Sequence, residues 1–444
     1  MARTPSRGFM STGQQRIAEL AEQSPQVAFT TLAHHLNLDL LLHAFHATRK
    51  DAAPGVDGQT GEDYGKNLLG NLRDLLDRAK SGRYRAPPVR RVHIPKGTGN
   101  ETRPLGIPTF EDKVLQRAVA MLLEPLYEQD FLDCSYGFRP DRSAHQALEA
   151  LWGQTMGMAG GWILEVDIRK FFDTLDHSHL RELLQRRVRD GVILRLIGKW
   201  LNAGVLEDGA ISTPEAGTPQ GGVISPLLAN IYLHYVLDEW FEQQVKPRLR
   251  GRAFLVRYAD DFVIGFENEG DARRVQEVLG KRLARYGLTL HPEKTRLVAF
   301  KRPTNQTKGP GQKAGSRAGT FDLLGFTHYW GKSWRGKWVV KRKTASSRLR
   351  RAIKGIADWC RKSYHRPVEE QHQTLRQKLQ GHYGYYGITG NAMGLSRFLR
   401  AVTRLWKRWL GRRRRGYFSW AEYLELLKRY PLPPVKVVHS VYRA

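Results

Sequence analysis

The chain has 444 residues, too many for one compact core, so roughly three domains are expected. A formal charge of +29 and a pI near 10.2 exceed what solubility requires and point to a polyanionic partner, either nucleic acid or an anionic membrane surface. No apolar run reaches the roughly 18–20 residues of a membrane-crossing helix, the N-terminus lacks a secretory apolar stretch, and two distant cysteines, Cys134 and Cys360, suit neither a disulfide framework nor a Cys-pair zinc site, so a soluble cytoplasmic protein is expected.

The first forty residues read as polar and helical. Adjacent His34 and His35 would point about 100° apart on a helix, which argues for structural roles rather than joint metal ligation. Ala53-Pro54-Gly55-Val56-Asp57-Gly58 is a turn, and Leu68, Leu72, Leu75 and Leu76 predict a helix from about Tyr64 to Ala79. Alternating apolar and basic residues in Val89–Lys96, a break at Gly97-Thr98-Gly99-Asn100, and Arg103–Ile107 predict a hairpin with a basic solvent face. Val114, Leu115, Ala118, Val119, Leu122 and Leu123 predict a helix over Glu111–Tyr127. Trp162–Ile168 reads as a strand carrying Asp167 at its end, and Phe254–Phe266 as two strands joined by a tight turn at Ala259-Asp260-Asp261. Past Phe326 the composition shifts to Trp, Lys and Arg, with helical apolar stripes at Leu349/Ile353/Ile356/Cys360, Leu375/Leu379 and Leu395/Phe398/Val402/Trp406. From Gly331 to Ala444 there are 28 Lys and Arg against five Asp and Glu, so +23 of the +29 lies in a basic module that follows a mixed α/β region.

Two adjacent carboxylates at a hairpin tip repel each other, and such turns favour Asn-Gly or Asp-Gly. Alone, the Asp260-Asp261 pair reads as a solvated turn. A divalent cation would reverse the cost: magnesium takes carboxylate oxygens plus substrate phosphates, and polymerases use two such ions. Asp167, at the end of another apolar strand, supplies a third carboxylate.

Arg257-Tyr258-Ala259-Asp260-Asp261-Phe262 resembles the fifth sequence block of reverse transcriptases. Arg91–Pro108 resembles the first block, Cys134–Pro140 the second, Asp167–Asp173 the third, Gly217–Leu228 the fourth, Gly287–Thr295 the sixth and Phe321–Phe326 the seventh. Their wording is similar to the group II intron-encoded reverse transcriptases, or maturases. That resemblance implies an α/β (α+β) right-hand polymerase whose fingers and palm carry an antiparallel sheet. An α-helical thumb or maturase domain and a short basic segment would follow. It places an N-terminal extension and the start of the fingers at 1–85, fingers and palm at 86–330, the thumb at 331–411 and a DNA-binding segment at 412–444. Some members add an HNH nuclease domain with cysteine pairs. This sequence has no cysteines for one, so target cleavage by the protein is not expected.

By the same resemblance Asp167, Asp260 and Asp261, with the Ile168 carbonyl, would hold two Mg2+ ions. Phe172 would exclude a ribose 2′-hydroxyl, unless Phe171 or Phe172 is simply core. Lys96 and Arg103 would hold the dNTP triphosphate, or else template phosphate. Gln220 would meet the nucleotide sugar or template base, and Tyr258 the primer end. Lys294 follows the turn-forming His291-Pro292 and could aid phosphate binding, but an isolated lysine is usually solvated, so it is left outside the site; the spacing of His177, His179 and Asp173 demands no metal ligation. Arg412, Arg413, Arg414 and Arg415 are read as nucleic-acid contacts among interleaved aromatics such as Trp359, Tyr364 and Trp420; Trp406 and Trp409 read equally as core. The implied partners are group II intron RNA, an RNA template, a DNA primer or target and dNTPs, with no membrane. A reverse transcriptase that has left its intron, and a splicing factor without catalysis, are the alternatives.

Overall fold

The structure is a computed structural model that describes residues 11–95, 102–207, 210–212, 221–303, 319–413 and 418–440, with Arg103 and Ile211 described in backbone only. Lys96, Gln220, Arg414 and Arg415 therefore lie outside the described residues. The chain forms two compact units. The first comprises 1–147 and 164–297, and the second 148–163 and 298–444.

Eleven strands are described: β1 (Val89–Pro95), β2 (Thr102–Ile107), β3 (Trp162–Val166), β4 (Val205–Glu207), β5 (Ala210–Ser212), β6 (Ala253–Tyr258), β7 (Asp261–Phe266), β8 (Arg296–Ala299), β9 (Phe321–Leu323), β10 (Phe326–Lys332) and β11 (Trp338–Thr344). They make three sheets, ordered β2-β1-β4-β5, β6-β7-β3-β8 and β11-β10-β9. The expected basic hairpin is β1 against β2, antiparallel, with Arg91 opposite Gly106 and His93 opposite Pro104.

In the first unit the helix Phe110–Asp130 is longer than its apolar periodicity suggested. Thr109 caps it by accepting from the Asp112 amide, and it runs on through Pro125, because burial on nearly every face outweighs the hydrogen bond that the proline forfeits. The helix expected over Tyr64–Ala79 is instead two, Gly61–Gly65 and Leu68–Ser81. The chain breaks at Asn67, whose φ of −126° is not helical. His34 and His35 lie in a short 3-10 turn with ring centroids 3.8 Å apart.

In the second unit a basic hairpin precedes the helices: β10 and β11 pair over seven residues each before the helices Ser346–Ser363, Val368–Tyr386 and Ala392–Arg413 begin. The helical expectation past Phe326 thus omitted two strands, whose alternation of buried and open residues has period two. The three helices bury the predicted stripes together, around Ile356, Cys360, Leu375, Leu379, Leu395, Phe398, Val402 and Trp406. Trp406 is core, its indole N–H donating to the Gln371 side chain at 3.1 Å, whereas Trp409 is only partly buried. Among the described residues no helix is long and apolar enough to cross a membrane.

Candidate active site

β6 and β7 are antiparallel with Tyr258 opposite Asp261, so the connecting turn is the two residues Ala259 and Asp260, and Asp261 already belongs to β7. Such tight turns need positive φ, and Ala259 supplies it at +55° despite its Cβ. β3 is bonded beside β7, so Asp167, just past the end of β3, rides on the strand next to the one that opens with Asp261. Beyond β3 the chain continues as a bridge between Ile168 and Leu290. The Arg169 amide donates to the Thr289 carbonyl and the His291 amide to the Asp167 carbonyl, both at 2.8 Å. In that pairing Ile168's own carbonyl points away from the 289–291 segment, as a backbone ligand would have to.

The turn is held from beneath by a buried network that the sequence reading missed. Arg257 and Asp238 are both 0% exposed. The guanidinium donates to Asp238 through Nε at 2.7 Å and Nη2 at 2.5 Å, and through Nη1 to Asn230 Oδ1 at 3.0 Å and to the Ala259 carbonyl at 3.1 Å. Burial disfavours the charged guanidinium, but the Asp238 carboxylate more than reverses that and holds Arg257 above its usual range. Burial also pushes the Asp238 carboxyl upward against the pull of Arg257; the two-pronged geometry is that of an ion pair, which is the state we assign. Asp238 closes a π-helical stretch, His234–Asp238, and the wider turn rotates the side chains after it out of α-helical register. Asn230 also donates to the Gly137 carbonyl at 2.7 Å. Gly137 lies so close to the turn that a Cβ there would sit 2.4 Å from the Ala259 nitrogen. The second block thus needs glycine because the backbone of the aspartate turn presses against it.

Lys294 was left outside the site, yet its Nζ is 3.0 Å from Asp167 Oδ2. Its spacing carried no signal, since Lys294 sits in the turn at 292–294, which sets its aim. Phe171 is core and packs on Tyr232, while Phe172, edge-on to it at 5.2 Å, remains partly open. Tyr258 is half-buried with its ring 6.2 Å from Phe138, and burial raises its hydroxyl pKa. In the second unit Arg412 lies over the Trp409 ring at 4.8 Å and Arg413 donates to the Arg366 carbonyl at 2.8 Å.

Among the described residues no group of three or more His, Cys, Asp or Glu side chains is placed to hold a metal ion, so the structure does not bring Asp167, Asp260 and Asp261 together as a ligand set. The donor chemistry still fits magnesium, which is held through one or two carboxylates, water and substrate phosphate rather than by an all-protein shell. Lys294 places a positive charge beside Asp167.

The sequence profile of the family described as reverse transcriptase (RNA-dependent DNA polymerase) matches residues 94–328, just over half of the chain. Protein YkfC of Escherichia coli K12 is 37% identical over 278 residues, covering 55% of this chain and 72% of its own. The group II intron-encoded protein LtrA of Lactococcus lactis is 38% identical over 224 residues, half of this chain and 37% of its own. Nuclear intron maturase 2 of Arabidopsis thaliana is 29% identical over 181 residues, 32% of this chain and 24% of its own. With the block order, the paired aspartates at a hairpin tip and this match in agreement, the chain belongs to the reverse transcriptase family, carries an RNA-dependent DNA polymerase domain, and is related to the proteins that group II introns encode.

Proposed function

We propose that this protein is a right-hand polymerase that copies RNA into DNA with Asp167, Asp260 and Asp261 as metal ligands, and that it binds a group II intron RNA to promote splicing and retrohoming. The observation that carries the polymerase reading is the placement of Asp260 and Asp261 at the β6–β7 turn beside the strand leading to Asp167, within the matched stretch. Two Mg2+ ions bound there would activate a primer 3′-hydroxyl and stabilise the leaving pyrophosphate. The chain's own residues prepare that step. Arg257 fixes the turn through the Ala259 carbonyl, and the buried Phe171 leaves Phe172 as the ring available to a nucleotide sugar. Lys96, Arg103 and Gln220 are assigned to the incoming nucleotide, Tyr258 to the primer end, and Arg412–Arg415 to nucleic-acid phosphate. In this reading 1–85 is an N-terminal extension and the start of the fingers, 86–330 is fingers and palm, 331–411 is the thumb or maturase domain and 412–444 is a basic DNA-binding segment.

The intron role is supported by the likeness to LtrA and to Nuclear intron maturase 2, each matched over less than half its own length. The rival reading is a reverse transcriptase no longer tied to an intron; the longer match, to protein YkfC, carries no intron in its name, and folded intron RNA elements flanking the reading frame decide between the two. Replacing Asp260 and Asp261 with Ala is expected to abolish Mg2+-dependent extension of a DNA primer on an RNA template while leaving intron RNA binding and assisted splicing intact. Normal extension by the purified variant would overturn the site. Splicing help lost in a well-folded variant would overturn the separation of the two activities.

A further inference from the structure

From Phe326 to Thr344 the chain carries six Lys and Arg and no Asp or Glu. This stretch is the β10–β11 hairpin. Its alternation buries Phe326, His328, Trp330, Val340 and Arg342 on one face. The register sets Tyr329 opposite Lys341 and Thr327 opposite Lys343 on the other. There Lys343 Nζ lies 5.1 Å from the Tyr329 ring centre. Gly331 leaves a slot for the Lys341 stem, because a Cβ at 331 would meet Lys341 Cδ at 2.9 Å.

At the tip the turn is built rather than loose. The Ser333 amide donates to the Lys337 carbonyl at 2.7 Å, the Lys337 amide to Ser333 Oγ at 3.2 Å, and Gly336 takes a φ of +71°. That turn presents Trp334 at 96% exposure, with Lys332, Arg335 and Lys337 around it. An indole gains from burial more than almost any side chain, so a fixed turn that holds one in water implies an external partner for the ring.

We propose that the β10–β11 hairpin is an RNA-contact surface in which Trp334 stacks on an unpaired base while Lys332, Arg335 and Lys337 engage the flanking phosphates. An unpaired base is required because bases inside a duplex offer no open face, whereas single-stranded nucleic acid is held by aromatic stacking and cations together. RNA is the source because, in RNA-templated synthesis, the new DNA strand is paired with its template and the unpaired strand is RNA. The inference rests on the RNA-dependent polymerase domain and holds whether or not the RNA is an intron.

The test uses the full-length protein and fluorescence anisotropy with a labelled, unstructured single-stranded RNA made of A and C, beside a blunt RNA duplex. Trp334→Ala is expected to weaken single-strand binding by about 5- to 150-fold, from the usual worth of one base–aromatic stack, with duplex binding and melting temperature unchanged. Trp334→Phe is expected to keep most of the affinity. Replacing Lys332, Arg335 and Lys337 with Ala is expected to flatten the salt dependence by roughly 0.7 log unit for each phosphate no longer neutralised. Unchanged single-strand affinity in Trp334→Ala overturns the proposal, as does equal weakening on both probes. Trp334-dependent binding to phosphatidylserine vesicles with RNA affinity unaltered, or a Trp334-dependent change in oligomeric state, would assign the tip to another partner and also overturn it. Primer extension by the wild type, measured alongside, separates failure of this surface from failure of the polymerase site.

Discussion

Replacing Arg257 with Lys isolates the network beneath the aspartate turn. The guanidinium makes four N–H···O bonds to three elements, and an ammonium on a flexible stem can keep the Asp238 pairing but not reach Asn230 and the Ala259 carbonyl as well. Each bond to a charged donor is worth about 1.5–3 kcal/mol, and holding an alanine in the left-handed region costs about 1–2 kcal/mol. The bond to Ala259 is thus of the same size as the strain it holds. Without it the turn relaxes. Single-nucleotide primer extension across a Mg2+ titration is expected to show kcat lowered about 5- to 30-fold, corresponding to about 1–2 kcal/mol of turn misplacement, with the half-saturating Mg2+ raised and the dNTP KM nearly unchanged. Ala259→Gly adopts the same φ without strain and is expected to restore part of the loss in the Arg257→Lys background, giving a coupling above about 0.5 kcal/mol in the double-mutant cycle. A folded Arg257→Lys protein with wild-type kcat and Mg2+ dependence, or a cycle with no coupling, would refute the positioning role.

Gly137→Ala drives a Cβ against the Ala259 nitrogen at 2.4 Å and the Tyr258 carbonyl carbon at 2.9 Å, both backbone, so a stability loss of about 1–3 kcal/mol and reduced extension are expected in denaturation and activity assays. Lys294→Met removes the cation beside Asp167 and is expected to tighten Mn2+ binding a few-fold by electron paramagnetic resonance; weaker binding would count against the ion pair as a competitor for the metal. His328 is buried against Phe321, with neither ring nitrogen hydrogen-bonded among the described residues, and burial, then Arg342, pushes its pKa down to about 3. The unfolded chain binds that proton near pH 6.5 and the folded one does not, so stability falls as the pH drops below about 6.5, by about 2 kcal/mol at pH 5. Asp112, pushed up to about 6 by burial, slopes the opposite way between pH 3.8 and 6. The comparison is therefore His328→Phe against wild type at pH 7.5 and 5, where the Asp112 contribution cancels. A stability gap independent of pH would refute it.

The β6–β7 hairpin, the basic β1–β2 hairpin and the three C-terminal stripes were legible because period two and period 3.6 are local signals, and apolar burial obeys them. Asp260 and Asp261 were legible as a pair only because tight turns rarely repeat a carboxylate. Arg257 was quoted within its block yet passed over, for a charged residue inside an apolar strand shows its purpose only once Asp238, 19 residues earlier, is placed under it by a π-helical turn. Lys294 was dismissed for a similar reason, since nothing in its own neighbourhood aims it at Asp167. The β10–β11 strands were hidden under a basic composition that resembles the helices after them. Trp334 had no pattern to break, because exposure is a property of the turn that carries it.

The second compact unit recruits residues 148–163 from the middle of the chain. Leu148 packs with Phe326 and Ile388, and the Trp152 indole donates to the Val340 carbonyl at 3.0 Å. During synthesis that segment leaves the ribosome well over a hundred residues before its partners, a wait of roughly 10–40 s at typical elongation rates. Throughout that interval the newborn polymerase carries an apolar helix face in search of a chaperone or an unwanted neighbour. Cutting the gene at the end of the matched stretch, residue 328, would likewise leave Leu148 without Ile388 and the Trp152 indole without the Val340 carbonyl.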